Sequence, residues 1–284
     1  MLTTLKKILT NARANHYAVP AFDCVEDVMI RGILDTCQAK RCPAILMGLL
    51  GGGLEDNGWA FIPGLVRAVA DHYDIPVALH LDHAIALDAI KRAVDGGFTS
   101  VMIDGSRFPF EKNAEITKAA VDIAHPHGIS VEAELGYVGG VNLEATAGTE
   151  SVLTEPDEVA RFIEWTDVDA LAVSIGTAHG VYQSLPNLNI ERLKVLNAAS
   201  RVPLVLHGGS GTPDDQIRNA VRHGICKLNI FADLRIAMAN GLKASAAALK
   251  REDPLPSELF APIRQELSKV VSAKIDLLNA GGRV

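Results

Sequence analysis

Short runs of apolar and β-branched residues recur along the chain, each followed by a stretch whose apolar positions repeat every three to four residues. The runs lie at about 17–22 (YAVPAF), 43–48 (PAILMG), 76–82 (PVALHLD) and 100–105 (SVMIDG). They continue at 130–136 (SVEAELG), 170–176 (ALAVSIG), 203–209 (PLVLHGG) and 226–231 (CKLNIF). Between them stand amphipathic segments such as DVMIRGILDTCQAK and ALDAIKRAVDGG. A strand followed by a helix, repeated eight times, predicts an α/β fold: a single (β/α)8 TIM barrel over residues 1–284. An open doubly wound sheet is the competing arrangement, but no G-x-G-x-x-G follows the first strand.

The ends add helices. Leu2, Leu5, Ile8, Leu9 and Ala12 follow helical spacing, so the N-terminus reads as a folded amphipathic helix rather than an export signal. Two further helical patterns follow the eighth strand, near 233–250 and 255–279, separated by EDPLPS. The stretch that resists assignment runs from Tyr137 to Thr154 and reads as a Gly- and Thr-rich functional loop.

Composition narrows the function. The chain has 284 residues, 48% apolar and 21% charged, with a formal charge of −7. With a pI near 5.7, that balance argues against nucleic acid or an anionic membrane as partner. No apolar run is long enough for a membrane span. Cys24, Cys37, Cys42 and Cys226 have neither C-x-x-C nor zinc-finger spacing, which reads as reduced thiols in a cytoplasmic protein.

The chemistry gathers where barrels keep it, at the C-terminal ends of the strands. There the sequence places Asp82, His83, Asp104, Glu132, Glu134, His179, His207 and Asn229. Period-two alternation turns Ala78, His80 and Asp82 inward, with His80 one layer below the mouth. Glu132 and Glu134 share an inward face, and two buried carboxylates there require a cation or a proton. His83, His179 and His207, from three strands, suit a tetrahedral zinc site with one position open for substrate. Asp104 and Glu134 are the further carboxylates beside that metal, as outer partners or as an alternative site. The loop HGGSGTPDD brings Gly208, Gly209 and Gly211 with Ser210 to a candidate anion site; helix capping by Thr212 and Pro213 is a second reading of the same loop.

These motifs, YAVPAF, LHLDHA, MIDGS with RFPF, VEAELG, LAVSIGTAHG, PLVLHGGSG and KLNI, resemble the class II, metal-dependent ketose-bisphosphate aldolases, nearest the tagatose-bisphosphate branch. The resemblance runs over nearly the whole chain. It implies one zinc per subunit on His83, His179 and His207, with a monovalent cation as an open addition. It implies Asp82 as the acid/base and Gly180, Gly208, Gly209, Ser210 and Asn229 as the holders of dihydroxyacetone phosphate. It also implies a sugar phosphate substrate and a homodimer or homotetramer. A zinc ion polarising a ketone while a carboxylate moves a proton is coherent aldol chemistry.

The sequence departs from the family pattern at several contacts. Asp23 stands where the first strand usually ends in Asn, and Leu49 where a Ser or Thr lies near phosphate. The mobile loop has Asn142 where an acid is usual, with Glu144 two positions on as its expected substitute. Phe231 and Ala232 replace the end of the N-x-x-T pattern, and Arg235 resembles an arginine that meets a second phosphate. Lost hydroxyls of this kind weaken phosphate binding by about 1–3 kcal/mol each, which points to a related ketose phosphate as an alternative substrate. Three other readings stand beside this one: a Schiff-base aldolase using Lys227, which alternation turns inward with Asn229, a metal-dependent hydrolase or isomerase, and a non-catalytic aldolase-like partner subunit.

Overall fold

The computed structural model describes residues 1–50, 52–140, 151–180 and 186–284. Its eight parallel strands close into a barrel in sequence order. They are β1 (Val19–Asp23), β2 (Ala44–Leu49), β3 (Val77–Ala84), β4 (Ser100–Ile103), β5 (Ser130–Leu135), β6 (Ala170–Val173), β7 (Leu204–Leu206) and β8 (Ile225–Ile230). Every strand residue is buried, as expected of a parallel sheet with side chains inside and helices outside.

The outer layer comprises α2 (Asp27–Lys40), α3 (Gly58–Val69), α4 (Leu87–Gly96), α5 (Phe110–Ala124), α6 (Pro156–Thr166), α7 (Ile190–Ala199) and α8 (Asp214–Arg222). Before the barrel, α1 (Leu5–Ala14) buries Leu5, Ile8, Leu9 and Ala12, the positions its periodicity picks out. It lies at the N-terminal end of the barrel: Thr3 N donates to Val77 O at the start of β3, and Lys6 N donates to Ser130 Oγ at the start of β5. Asp169, 4% exposed, accepts from Lys6 Nζ, His125 Nε2 and Val131 N at 2.9, 2.9 and 2.8 Å. His125 is thus tied to this end of the barrel.

After β8 come α9 (Ala232–Ala248) and α10 (Pro256–Leu277). The second packs across α9 and back onto α2. Among the described residues, no helix is long and apolar enough to cross a membrane.

One irregularity in β3 matters for function. Leu81 pairs with Val101, but Ala84 pairs with Ile103, so β3 spends three residues where β4 spends two. This is a β-bulge, and His83 lies within it at φ 45°. Plain alternation would turn His83 away from Asp82; the bulge rotates it back toward the barrel mouth.

Candidate active site

Three imidazoles meet above the strand ends. Ring centroids of His83, His179 and His207 lie 4.7, 5.0 and 5.8 Å apart, pairwise. One nitrogen from each ring comes within 4.8 Å of the others, and all three side chains are buried. His83 arrives on the bulge of β3, and His207 directly follows β7. His179 is held through its backbone, its N–H donating to Gly139 O at 2.8 Å.

The other ring nitrogens show which atoms face the centre. His83 Nδ1 lies 3.2 Å from Asp104 Oδ2, and His207 Nε2 lies 3.0 Å from Glu132 Oε1. His83 Nε2 and His207 Nδ1 are buried and make no hydrogen bond. Buried polar atoms without partners are costly, and ring nitrogens converging in this way fit a zinc ion. Asp104, which the sequence reading set beside the metal, meets His83 and is itself fixed by Ser106 N and Oγ at 3.0 and 2.6 Å. Such outer carboxylates orient metal-binding imidazoles.

Glu134 Oε1 accepts from Val138 N at 3.0 Å, while Oε2 lies 3.4 Å from His207 Nδ1. His83, Asp104 and Glu134 form a second group of converging ligand atoms. Burial, reinforced by the Asp104 charge, pushes the Glu134 carboxyl up to about 8. His83 is raised well above the usual histidine range: burial opposes the shift, but Asp82, Asp104 and Glu134 outweigh it. His207 is held well below that range by burial and by the charges of His83 and Lys227. Metal binding would have to displace protons favoured on His83 and Glu134, so it would depend on pH.

Asp82 is 1% exposed, and Asn229 Nδ2 donates toward its two oxygens at 3.1 and 3.3 Å. Beneath it, His80 Nδ1 lies 2.8 Å from Ser100 Oγ. The expectation that Glu132 and Glu134 need a cation or a proton is met in both ways. Burial favours the protonated form of Glu134, and Glu132 meets Lys227 Nζ at 2.8 and 3.0 Å. The pairing of Glu132 with Lys227 escaped the sequence reading, although alternation turned both inward. It also removes the Schiff-base alternative, because the Lys227 amine is wholly buried and ion-paired below the site.

The glycine loop differs from expectation in one respect. Gly209 does not offer its amide to an anion, because that N–H donates to Asn229 O at 3.0 Å. Glycine is needed there for close packing: a Cβ would lie 2.6 Å from Leu228 Cγ. Ser210 Oγ accepts from Phe231 N and Asp233 N at 3.3 and 3.2 Å, which leaves its hydroxyl proton to donate. Gly208 has φ 70°, and a Cβ there would come 2.4 Å from Ala178 O. Gly180 follows His179 directly, at φ 90°. Asp23 ends β1 and Leu49 ends β2, both almost fully buried. Ala232 opens α9, and the Arg235 guanidinium lies 5.1 Å from the Phe231 ring centre. Asn142 and Glu144 lie outside the described residues.

The family model for class II fructose-bisphosphate aldolase matches residues 3–283. This chain belongs to that family. It is therefore a class II aldolase, a carbon–carbon lyase. Among solved structures it is similar to the YdjI aldolase of Escherichia coli K12, with 34% identity, a TM-score of 0.88, and coverage of 100% of this chain and 99% of that one. It shares its fold with the fructose-bisphosphate aldolase of Campylobacter jejuni, at 23% identity and a TM-score of 0.85, over 100% and 97% of the two chains. The family is zinc-dependent in general, which agrees with the donor set of the three histidines.

Proposed function

We propose that the aldolase reversibly cleaves a phosphorylated ketose, of the tagatose or fructose 1,6-bisphosphate type, into dihydroxyacetone phosphate and an aldehyde. The observation that carries this reading is the convergence of His83, His179 and His207, with Asp82 Oδ2 4.0 Å from His83 Nε2. The three histidines would hold zinc, which when bound supplies a Lewis acid for the substrate carbonyl.

The remaining work falls to the chain. Asp82 takes the hydroxyl proton as the carbon–carbon bond breaks and returns it in the reverse direction. Asn229 holds the Asp82 carboxylate from one side, so its reactive face is set before substrate arrives. Ser210, Gly208 and Gly180 border the place for the phosphate, and Glu144 is the loop group assigned to proton exchange at the dihydroxyacetone phosphate carbon. Assembly as a homodimer or homotetramer and work in the cytoplasm belong to the same reading.

A second reading keeps the reaction and changes the sugar. Asp23 and Leu49 close two neighbouring strand ends, and Phe231 and Ala232 close β8, all with little exposure. Residues of this kind in place of the family's amide and hydroxyl contacts favour a different ketose phosphate. Release of dihydroxyacetone phosphate from tagatose and fructose 1,6-bisphosphates, before and after zinc removal, tests both. Zinc-dependent release at ordinary enzyme efficiency supports the first; a zinc-loaded protein that cleaves neither sugar supports the second.

A further inference from the structure

A lysine without solvent contact lies beneath the three histidines. Lys227 and Glu132 are both 0% exposed, and the ammonium meets both carboxylate oxygens. Its remaining contact is His80 Nε2, at 3.5 Å. Taking both charges out of water is costly, and such a pair seldom adds net stability over apolar residues of the same size. Its place in the barrel gives it another use.

Donor and acceptor roles at Glu132 follow from chemistry. An ionised carboxylate only accepts, and an ammonium only donates. Glu132 Oε1 therefore accepts from Lys227 and from His207 Nε2–H, at 3.0 Å each. A neutral imidazole with its proton on Nε2 has its lone pair on Nδ1, and that is the buried nitrogen without a hydrogen bond. The neighbouring ligand is arranged in the opposite sense: His83 Nδ1 meets Asp104, and Nε2 faces the centre.

We infer that Lys227 and Glu132 are positioning residues, which fix His207 as the Nε2–H tautomer and so present Nδ1 to the metal. Lys227 holds both oxygens of Glu132 in a dry layer, and Glu132 Oε1 in turn meets His207 at Nε2, which leaves Nδ1 as the donor atom. The inference rests on the three-histidine zinc reading. The same ammonium abuts His80, whose Nε2 is 3.9 Å from Asp82 Oδ1, so one buried cation underlies both the metal ligands and the carboxylate.

Zinc affinity by chelator competition, with the visible spectrum of the cobalt(II) form, tests the inference on four proteins: wild type, Lys227→Met, Glu132→Leu/Lys227→Met and Glu132→Gln/Lys227→Met. The Leu/Met pair removes both charges and leaves no buried ion unpaired, so it folds even where the single variant does not. It is expected to bind zinc about 10–100-fold more weakly, with altered cobalt bands, as loss of an outer partner does. The Gln/Met pair restores a neutral acceptor for His207 Nε2 without Lys227 and should recover part of that loss, which a purely structural role would not predict. A folded Leu/Met protein with wild-type zinc affinity and an unchanged cobalt spectrum overturns the inference. Nitrogen-15 histidine spectra of the zinc-loaded wild type check it without mutation: His207 should carry its proton on Nε2, and a proton on Nδ1 sinks the proposal. Wild type that takes up no zinc would instead sink the zinc reading on which the inference stands.

Discussion

Asn229 Nδ2 lies 3.1 and 3.3 Å from the two oxygens of Asp82, a contact that spans from β8 to β3. It engages both oxygens of the carboxylate assigned above to the acid/base role. Asp82→Asn should therefore lower kcat by about 10²–10⁴-fold, the usual worth of a general acid/base, with zinc content unchanged. Asn229→Ala should cost less, because it loosens the group without removing it. Steady-state kinetics with metal analysis on the same samples checks both. Loss of zinc in Asp82→Asn would assign the carboxylate to metal binding.

At Gly208 the backbone takes a left-handed φ, and a methyl group would press on Ala178 O, next to His179. Gly208→Ala should destabilise the protein by about 1–3 kcal/mol and displace the segment that carries a metal ligand. Urea unfolding with and without zinc measures both effects. Unchanged stability and unchanged zinc affinity would show that the loop yields without cost.

The Glu134 carboxyl, ordinarily near 4.5, is pushed up to about 8 by burial and then by Asp104. In that window the folded, metal-free protein keeps a proton that the unfolded chain has released. Its contribution to stability is fully present below about 4.5 and is lost as the pH rises through about 8. The stability of the metal-free wild type relative to Glu134→Gln should therefore fall between those limits. Unfolding curves at each end of the window decide it, and a difference independent of pH would mean that Glu134 ionises normally.

Asp169 supports the opposite end of the barrel. Asp169→Ala leaves Val131 N–H without its buried side-chain acceptor, and should cost about 1–3 kcal/mol of stability. The Lys6 contact adds little, because that side chain is 66% exposed. Activity at a temperature below the transition should be unchanged. A large fall in kcat for folded Asp169→Ala would reveal coupling between the two ends.

The alternation of strands and helices was legible because each strand is buried on both faces and therefore reads as an apolar run. The ends were less so. The runs at 170–176 and 203–209 yield strands only to Val173 and Leu206, since the residues after them leave the sheet toward His179 and His207. Asp82 faced inward by alternation, but the same rule turned His83 outward; the bulge that reconciles them depends on pairing with β4, which one strand's sequence does not carry. Lys227 and Glu132 were each placed inward correctly. Their contact needed a closed barrel to bring β8 and β5 together. Gly209 was misread because its role depends on the path of β8, not on the loop that contains it.

The bulge in β3 makes Asp82 and His83 both sequence neighbours and neighbours across the site. Thermal shifts of one strand against another can alter the spacing between His179 and His207, but one peptide unit links Asp82 to His83. Substitutions at the ends of β1 and β2, at Asp23 or Leu49, can therefore accumulate while the spacing of Asp82 and His83 travels with a single dipeptide.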